Sequence, residues 1–164
     1  MQTRIALAED RDLLVEMGRR TFFETFAGTC SEADMQLCLD QSFAPEKLAA
    51  ELAAAHSRFL ILEDASGVMG YSRLLAEEAG AAAVELVRFY MERRAIGSGA
   101  AHELMKRTLL LARECGYRRI YLGVWEKNFR AHNFYGKWGF EKNGETIFMV
   151  GLDAQVDWTY SREL

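Results

Sequence analysis

The stretch Arg93-Arg94-Ala95-Ile96-Gly97-Ser98-Gly99-Ala100-Ala101 decides how the rest of the chain is read. Before it lies Ala82 to Met91 (AAVELVRFYM), which alternates as a long strand. After it a helix runs to Cys115-Gly116, with Ala101, Leu104, Thr108, Leu111 and Cys115 at spacings of three and four. Glycines at such a junction let a ligand approach the backbone without side chains intervening. The free N–H groups of the first helical turn, with the helix dipole, suit a pyrophosphate. A Gly-x-Gly before a helix is also ordinary turn punctuation, so both readings stand. No Gly-Lys-Ser/Thr follows, which excludes a P-loop, and the third glycine of a dinucleotide fingerprint is absent. Ser98 lacks the full elbow pattern and a partner histidine expected of a nucleophile.

Upstream, Thr3–Ala6 reads as a short strand, and Glu9-Asp10 open a helix to Arg20. The aromatic stretch Thr21–Phe26 (TFFETF) follows and ends at Gly28. Ser31 caps a helix to Asp40, and Pro45 begins another through Ala55. Arg58–Glu63 and Val68–Ala76 form a hairpin around Ser66-Gly67. Downstream come a strand Arg118–Val124, a helix Phe129–Trp138, and strands Phe140–Val150 and Val156–Ser161. Helices first, then a hairpin-rich sheet with two crossover helices, predict a mixed α/β sheet.

The second informative block is Leu122–Phe140 (LGVWEKNFRAHNFYGKWGF). Ala131, Phe134, Tyr135 and Trp138 share one helical face, which puts Tyr135 on the buried side with a hydroxyl to satisfy. By spacing alone Tyr135 reads first as a core aromatic, and Asn128 serves as well as a plain helix cap. Gly139 stops the helix.

The 164 residues are 50% hydrophobic and 27% charged, which fits one globular domain spanning 1–164. A net charge of -4 argues against nucleic-acid binding driven by counterion release. Cys30, Cys38 and Cys115 have no metal-ligand spacing and read as free thiols. His56, His102 and His132 are likewise unpaired in spacing, so no metal is expected. No run approaches the ~20 apolar residues of a membrane span, and the first residues do not read as a signal peptide. A cytoplasmic protein is expected.

The two blocks together, IGSGAA at Ile96–Ala101 and N-x-x-A-x-x-F-Y-x-x-x-G-F at Asn128–Phe140, resemble the GNAT superfamily of GCN5-related N-acetyltransferases. The likeness covers nearly the whole chain. Thr21–Ala27, Leu122–Asn128 and Ile147–Tyr160 extend it toward the PaiA-type spermidine/spermine acetyltransferases. Literal matching puts Arg94 at the family's Gln/Arg position. Ungapped counting to Leu122 instead puts Ile96 there, with Gly97, Gly99 and Ala101 at the small positions, and keeps the helix in phase. We adopt the second register.

The resemblance implies a mixed, mostly antiparallel sheet splayed between its fourth and fifth strands and flanked by helices. It implies an acetyl-CoA-dependent transferase acting on a small-molecule amine, possibly a polyamine, by direct attack in a ternary complex. Phe89, Tyr90 and Met91 would flank the pantetheine, and Ile96, Gly97, Ser98, Gly99, Ala100 and Ala101 the pyrophosphate. Asn128 would contact the pantetheine arm, and Tyr135 would protonate or stabilise the departing thiolate. Glu85 is the candidate base, against a salt-bridged or solvated strand glutamate. Glu24 is the candidate for a cationic substrate, against a solvated helix-end acid. A homodimer stays open. So do a non-catalytic acyl-CoA-binding regulatory module and acetylation of protein N-termini or lysines.

Overall fold

Short polar signals set the helix starts in the computed structural model, which describes residues 1–78 and 80–164. Ser31 Oγ accepts from the Asp34 N–H at 3.1 Å and opens α2, Glu32–Ser42. Pro45 occupies the first turn of α3, Pro45–Ala53, where its missing N–H costs nothing. Asp10 anchors the entry to α1: both its oxygens take Arg4 guanidinium bonds of 2.7 Å, and the Leu7 N–H adds a third. Residues Ala8–Asp10 are therefore a 3-10 turn, and α1 proper is Arg11–Phe26.

The sequence expectation ended α1 at Arg20, six residues early. The TFFETF stretch is its last two turns. Thr21 and Thr25 satisfy their hydroxyls on the carbonyls of Met17 and Thr21, each at 2.8 Å, so β-branching does not break the helix. Phe22 and Phe26 stack one turn apart with centroids 4.5 Å apart. Gly28, at φ 81°, then takes the chain out of the helix.

The strands are β1 Gln2–Ile5, β2 Ser57–Asp64, β3 Gly67–Leu75, β4 Ala83–Met91, β5 Arg119–Trp125, β6 Glu141–Val150 and β7 Asp153–Glu163. They form one sheet in the order β1-β2-β3-β4-β5-β7-β6. Every neighbour is antiparallel except β4 and β5, which are parallel and joined through α4, Ala100–Glu114. Helix α5, Phe129–Lys137, carries the chain from β5 to β6. β7 outruns its expected span, Val156–Ser161, at both ends, because β5 and β6 pair with it from either side.

Two layers of helices cover the sheet. On one face Leu14, Met17 and Phe22 of α1 pack with Leu39 and Leu48 against Phe59, Ile61 and Tyr71. On the other face α4 and α5 pack over Val84, Leu86, Ile120, Leu122 and Val124. The inner face of α4 is Leu104, Met105, Thr108, Leu109 and Ala112, whereas Cys115, expected there, is exposed. Among the described residues no helix is long and apolar enough to cross a membrane.

Candidate functional site

β4 and β5 run side by side only at Ala83–Arg119, Val84–Ile120 and Glu85–Tyr121. Beyond that point β4 stays with β3 as far as Met91, and β5 stays with β7 as far as Trp125 opposite Asp157. The two strands therefore part, leaving the gap-facing N–H and C=O groups of β4 without a strand partner. A bulge accompanies the opening: Leu74 sits opposite Leu86 and Arg73 opposite Arg88, so Val87 has no partner. The extra residue lets Leu86 and Phe89, three apart, both face α4 and α5.

A cavity of about 560 Å³ fills the gap. His102, Phe134 and Tyr135 line it from the α4/α5 face, and Thr21, Phe22 and Phe26 line it from the α1 face. A cavity lined from both faces of one sheet passes through that sheet. This is the arrangement a donor and an acceptor need if they approach from opposite sides and meet at one point.

At the glycine turn, Gly97 and Gly99 have φ of 82° and 87°, a region that only glycine enters without strain. The N–H groups of Gly97, Gly99 and Ala101 have no intramolecular partner among the described residues. They sit at the start of α4, where the dipole adds to their pull on an anion. Ile96, Gly97, Gly99 and Ala101 line the cavity, but Ser98 and Ala100 do not. Ser98 spends its hydroxyl on the turn, donating to Ala95 O at 2.7 Å and accepting from the Ala100 N–H. Ala100 is fully buried beneath the turn. Arg94 is turned away: its guanidinium donates to Ser66 and, at 2.7 Å, to Val68 O in the β2–β3 hairpin. That contact favours the register with Ile96 at the motif's first position.

Phe89, Tyr90, Met91, Asn128 and Tyr135 all line the cavity. Asn128 caps α5, its Oδ1 accepting from the Ala131 N–H at 3.2 Å, which leaves its amide NH2 free to donate. Tyr135 is 9% exposed and packs against Phe89, Phe134 and Phe140 at centroid distances of 6.4, 5.5 and 5.6 Å. Its hydroxyl makes no hydrogen bond among the described residues. Burial pushes the Tyr135 phenol well above its ordinary range, so it remains an O–H donor at neutral pH. His132, one helical turn away, is structural: its Nε2 donates to Glu126 O at 3.0 Å, and its Nδ1 accepts from Tyr160 at 2.9 Å.

Glu85 and Glu24 do not join this group. Glu85 occupies the last position at which β4 pairs with β5 and is not among the cavity-lining residues. Burial raises its carboxyl, partly offset by Arg73. Glu24 lies on the solvent side of α1, while Thr21, Phe22, Thr25 and Phe26 face the cavity. The carboxylate that the sequence reading missed is Asp157 on β7. It lines the cavity, and among the described residues it has neither a hydrogen bond nor an ion pair. Burial pushes its carboxyl up to about 6. A Cβ at Gly123, on the neighbouring strand, would lie 3.2 Å from Asp157 Oδ2, so the glycine leaves the carboxylate its room.

The acetyltransferase (GNAT) family model matches residues 19–140. An uncharacterized N-acetyltransferase in the pepI 3′ region of Lactobacillus delbrueckii subsp. lactis is 30% identical over 168 residues, covering 98% of this chain and 97% of that protein. The spermine/spermidine N(1)-acetyltransferase of Bacillus subtilis is 36% identical over 66 residues, 40% of this chain and 43% of that enzyme. In fold, the chain superimposes on the PaiA N-acetyltransferase of Thermoplasma acidophilum in complex with coenzyme A. That match has a TM-score of 0.84 at 22% identity over the full length of both chains.

The chain belongs to the GNAT acetyltransferase family. It is an acetyl-CoA-dependent N-acetyltransferase. The residues present fit that co-substrate: three uncommitted N–H groups at the start of α4, an open β4 edge, and a phenol facing the gap.

Proposed function

We infer that the protein transfers the acetyl group to the primary amine of a small molecule, in one ternary complex and without an acetyl-enzyme. The observation that carries this reading is the cavity through the sheet, open to α4 and α5 on one face and to α1 on the other.

Acetyl-CoA, when bound, supplies the acetyl group as an activated thioester. The chain's own groups supply the rest. The N–H groups of Gly97, Gly99 and Ala101 hold the pyrophosphate, while Asn128 and the open edge of β4 at Phe89–Met91 hold the pantetheine. An edge N–H of β4 polarises the thioester carbonyl. The Tyr135 O–H donates to the sulfur as charge develops on it. Forming the amide removes two protons from an alkylammonium, whose pKa is near ~10. One ends on sulfur and the other in solvent. Asp157, the carboxylate lining the cavity, receives the proton from nitrogen, directly or through water; Glu85, on the part of β4 still paired with β5, does not line the cavity.

A polyamine acceptor has the partial likeness to the Bacillus subtilis enzyme behind it, over 40% of the chain. A regulatory acyl-CoA-binding module and a protein acetylase are the competing readings. Incubation with acetyl-CoA and a panel of primary amines, read by mass spectrometry, tests the inference. The expected result is an N-acetyl product matched mole for mole by free CoA. If acetyl-CoA raises the melting temperature while no amine gains an acetyl group, the regulatory module is the better account.

A further inference from the structure

The α1 half of the cavity is aromatic. Phe22 and Phe26 of α1, Trp125 of β5 and Phe148 of β6 line it. They form a continuous wall: Phe26 lies 5.8 Å from Trp125 and Phe22 6.4 Å from Phe148, centroid to centroid. Asp157 is the one carboxylate among the described lining residues, and no described cation pairs with it; Arg130 of α5 also lines the cavity but forms no ion pair with it. It shares a face with Trp125, its direct partner across β5 and β7.

This composition discriminates among amines. One unpaired carboxylate balances one ammonium. An apolar body fills the aromatic wall and displaces water from it. A polyamine carries further ammonium groups along its chain, and each would enter the aromatic wall without a counter-ion. Cation–π contact recovers only part of the lost hydration.

We propose that the acceptor is an amine with a single ammonium on an aromatic or branched apolar body, its head held by Asp157 and its body by Phe22, Phe26, Trp125 and Phe148. The inference rests on the amine-acetylation reading of the same cavity and narrows its substrate class. Binding and chemistry share the carboxylate: Asp157 pairs with the ammonium on arrival and faces the nitrogen as it loses its proton.

Acceptor kinetics with saturating acetyl-CoA test it, using 2-phenylethylamine, n-hexylamine, ethylamine, spermidine and an N-acetyl-lysine-free peptide bearing one lysine. The expected kcat/KM for 2-phenylethylamine exceeds that for spermidine by at least about tenfold. Asp157→Asn should raise KM for 2-phenylethylamine by more than about tenfold and leave acetyl-CoA affinity within about twofold. Phe148→Ala, at a half-exposed edge-strand position, should lower kcat/KM for 2-phenylethylamine several-fold more than for ethylamine, which is too short to fill the wall. Preference for spermidine or the peptide, or an unaltered amine KM in Asp157→Asn, overturns the proposal. Failure to acetylate any amine overturns the underlying reading instead, so the two failures are distinguishable.

Discussion

Glu85 and Tyr121 are the last residues at which β4 and β5 run side by side. Everything assigned to the chemistry lies past this pair. Phe89, Tyr90 and Met91 come from one diverging strand, Gly123 and Trp125 from the other, and Tyr135 and Asp157 approach the opening from opposite faces. The pair thus separates the structural half of the sheet from its working half.

Tyr135 should act on the leaving group and not on affinity. Tyr135→Phe keeps the ring packed against Phe89 and Phe140 and removes only the O–H. Turnover should fall by about 10- to 100-fold while acetyl-CoA affinity stays within about twofold. An unchanged kcat in steady-state assays removes the role.

The two registers of the glycine turn make different predictions. Arg94→Ala should leave acetyl-CoA affinity unaltered, because that guanidinium is bonded to the β2–β3 hairpin. Gly99→Val should weaken acetyl-CoA binding and cost about 1–2 kcal/mol of stability, since a β-branched residue at φ 87° is strained. Calorimetric titration decides on Arg94→Ala: lost affinity there would restore the literal register, while Gly99→Val tests the turn that both registers share.

The pH dependence has a sign. Asp157, pushed up to about 6, binds its proton more tightly in the folded chain than the ~3.9 of an unfolded aspartate. Stability is therefore unpenalised below about pH 4 and is lost as pH rises from there through about 6. Asp157→Asn removes the penalty. It should raise the melting temperature by a few degrees at pH 7–8, about 1 kcal/mol after solvent screening, and change nothing at pH 4. The acid limb of kcat/KM near pH 6 should vanish in the same variant and persist in Glu85→Gln. A limb that follows Glu85 would restore that residue as the base.

Behind β4, Glu51 is buried between Arg73 at 2.9 Å and Arg88 at 2.5 Å. Removing the shared carboxylate strands two buried guanidiniums. Glu51→Ala should cost about 3–5 kcal/mol in denaturant unfolding, whereas an exposed pair such as Lys142–Glu145 should cost under about 1.

Much of this was legible in the sequence because local chemistry carried it. The strand before Gly97, the helix after Gly99 and the face holding Tyr135 each announce themselves by periodicity. The resemblance then supplied the splay. What escaped notice depends on partners distant in sequence. The TFFETF turns stay helical because Thr21 and Thr25 bond backward along the helix, which propensity alone does not show. Asp157 reads as one polar residue in an alternating strand. It becomes a cavity carboxylate because β7 sets it beside Trp125 and near Gly123, some thirty residues upstream. Glu85 and Glu24 have the right chemical type but do not line the cavity: Glu85 shares the α1 face of the sheet with Trp125 yet lies back where β4 and β5 are still paired, and Glu24 is exposed on α1.

The central claim is that donor and amine meet directly in the passage through the sheet. Initial rates measured at several fixed acceptor concentrations while acetyl-CoA is varied test it most directly. The account predicts double-reciprocal lines that intersect, as a ternary complex requires. Parallel lines, together with an acetylated protein isolated in the absence of amine, would contradict it.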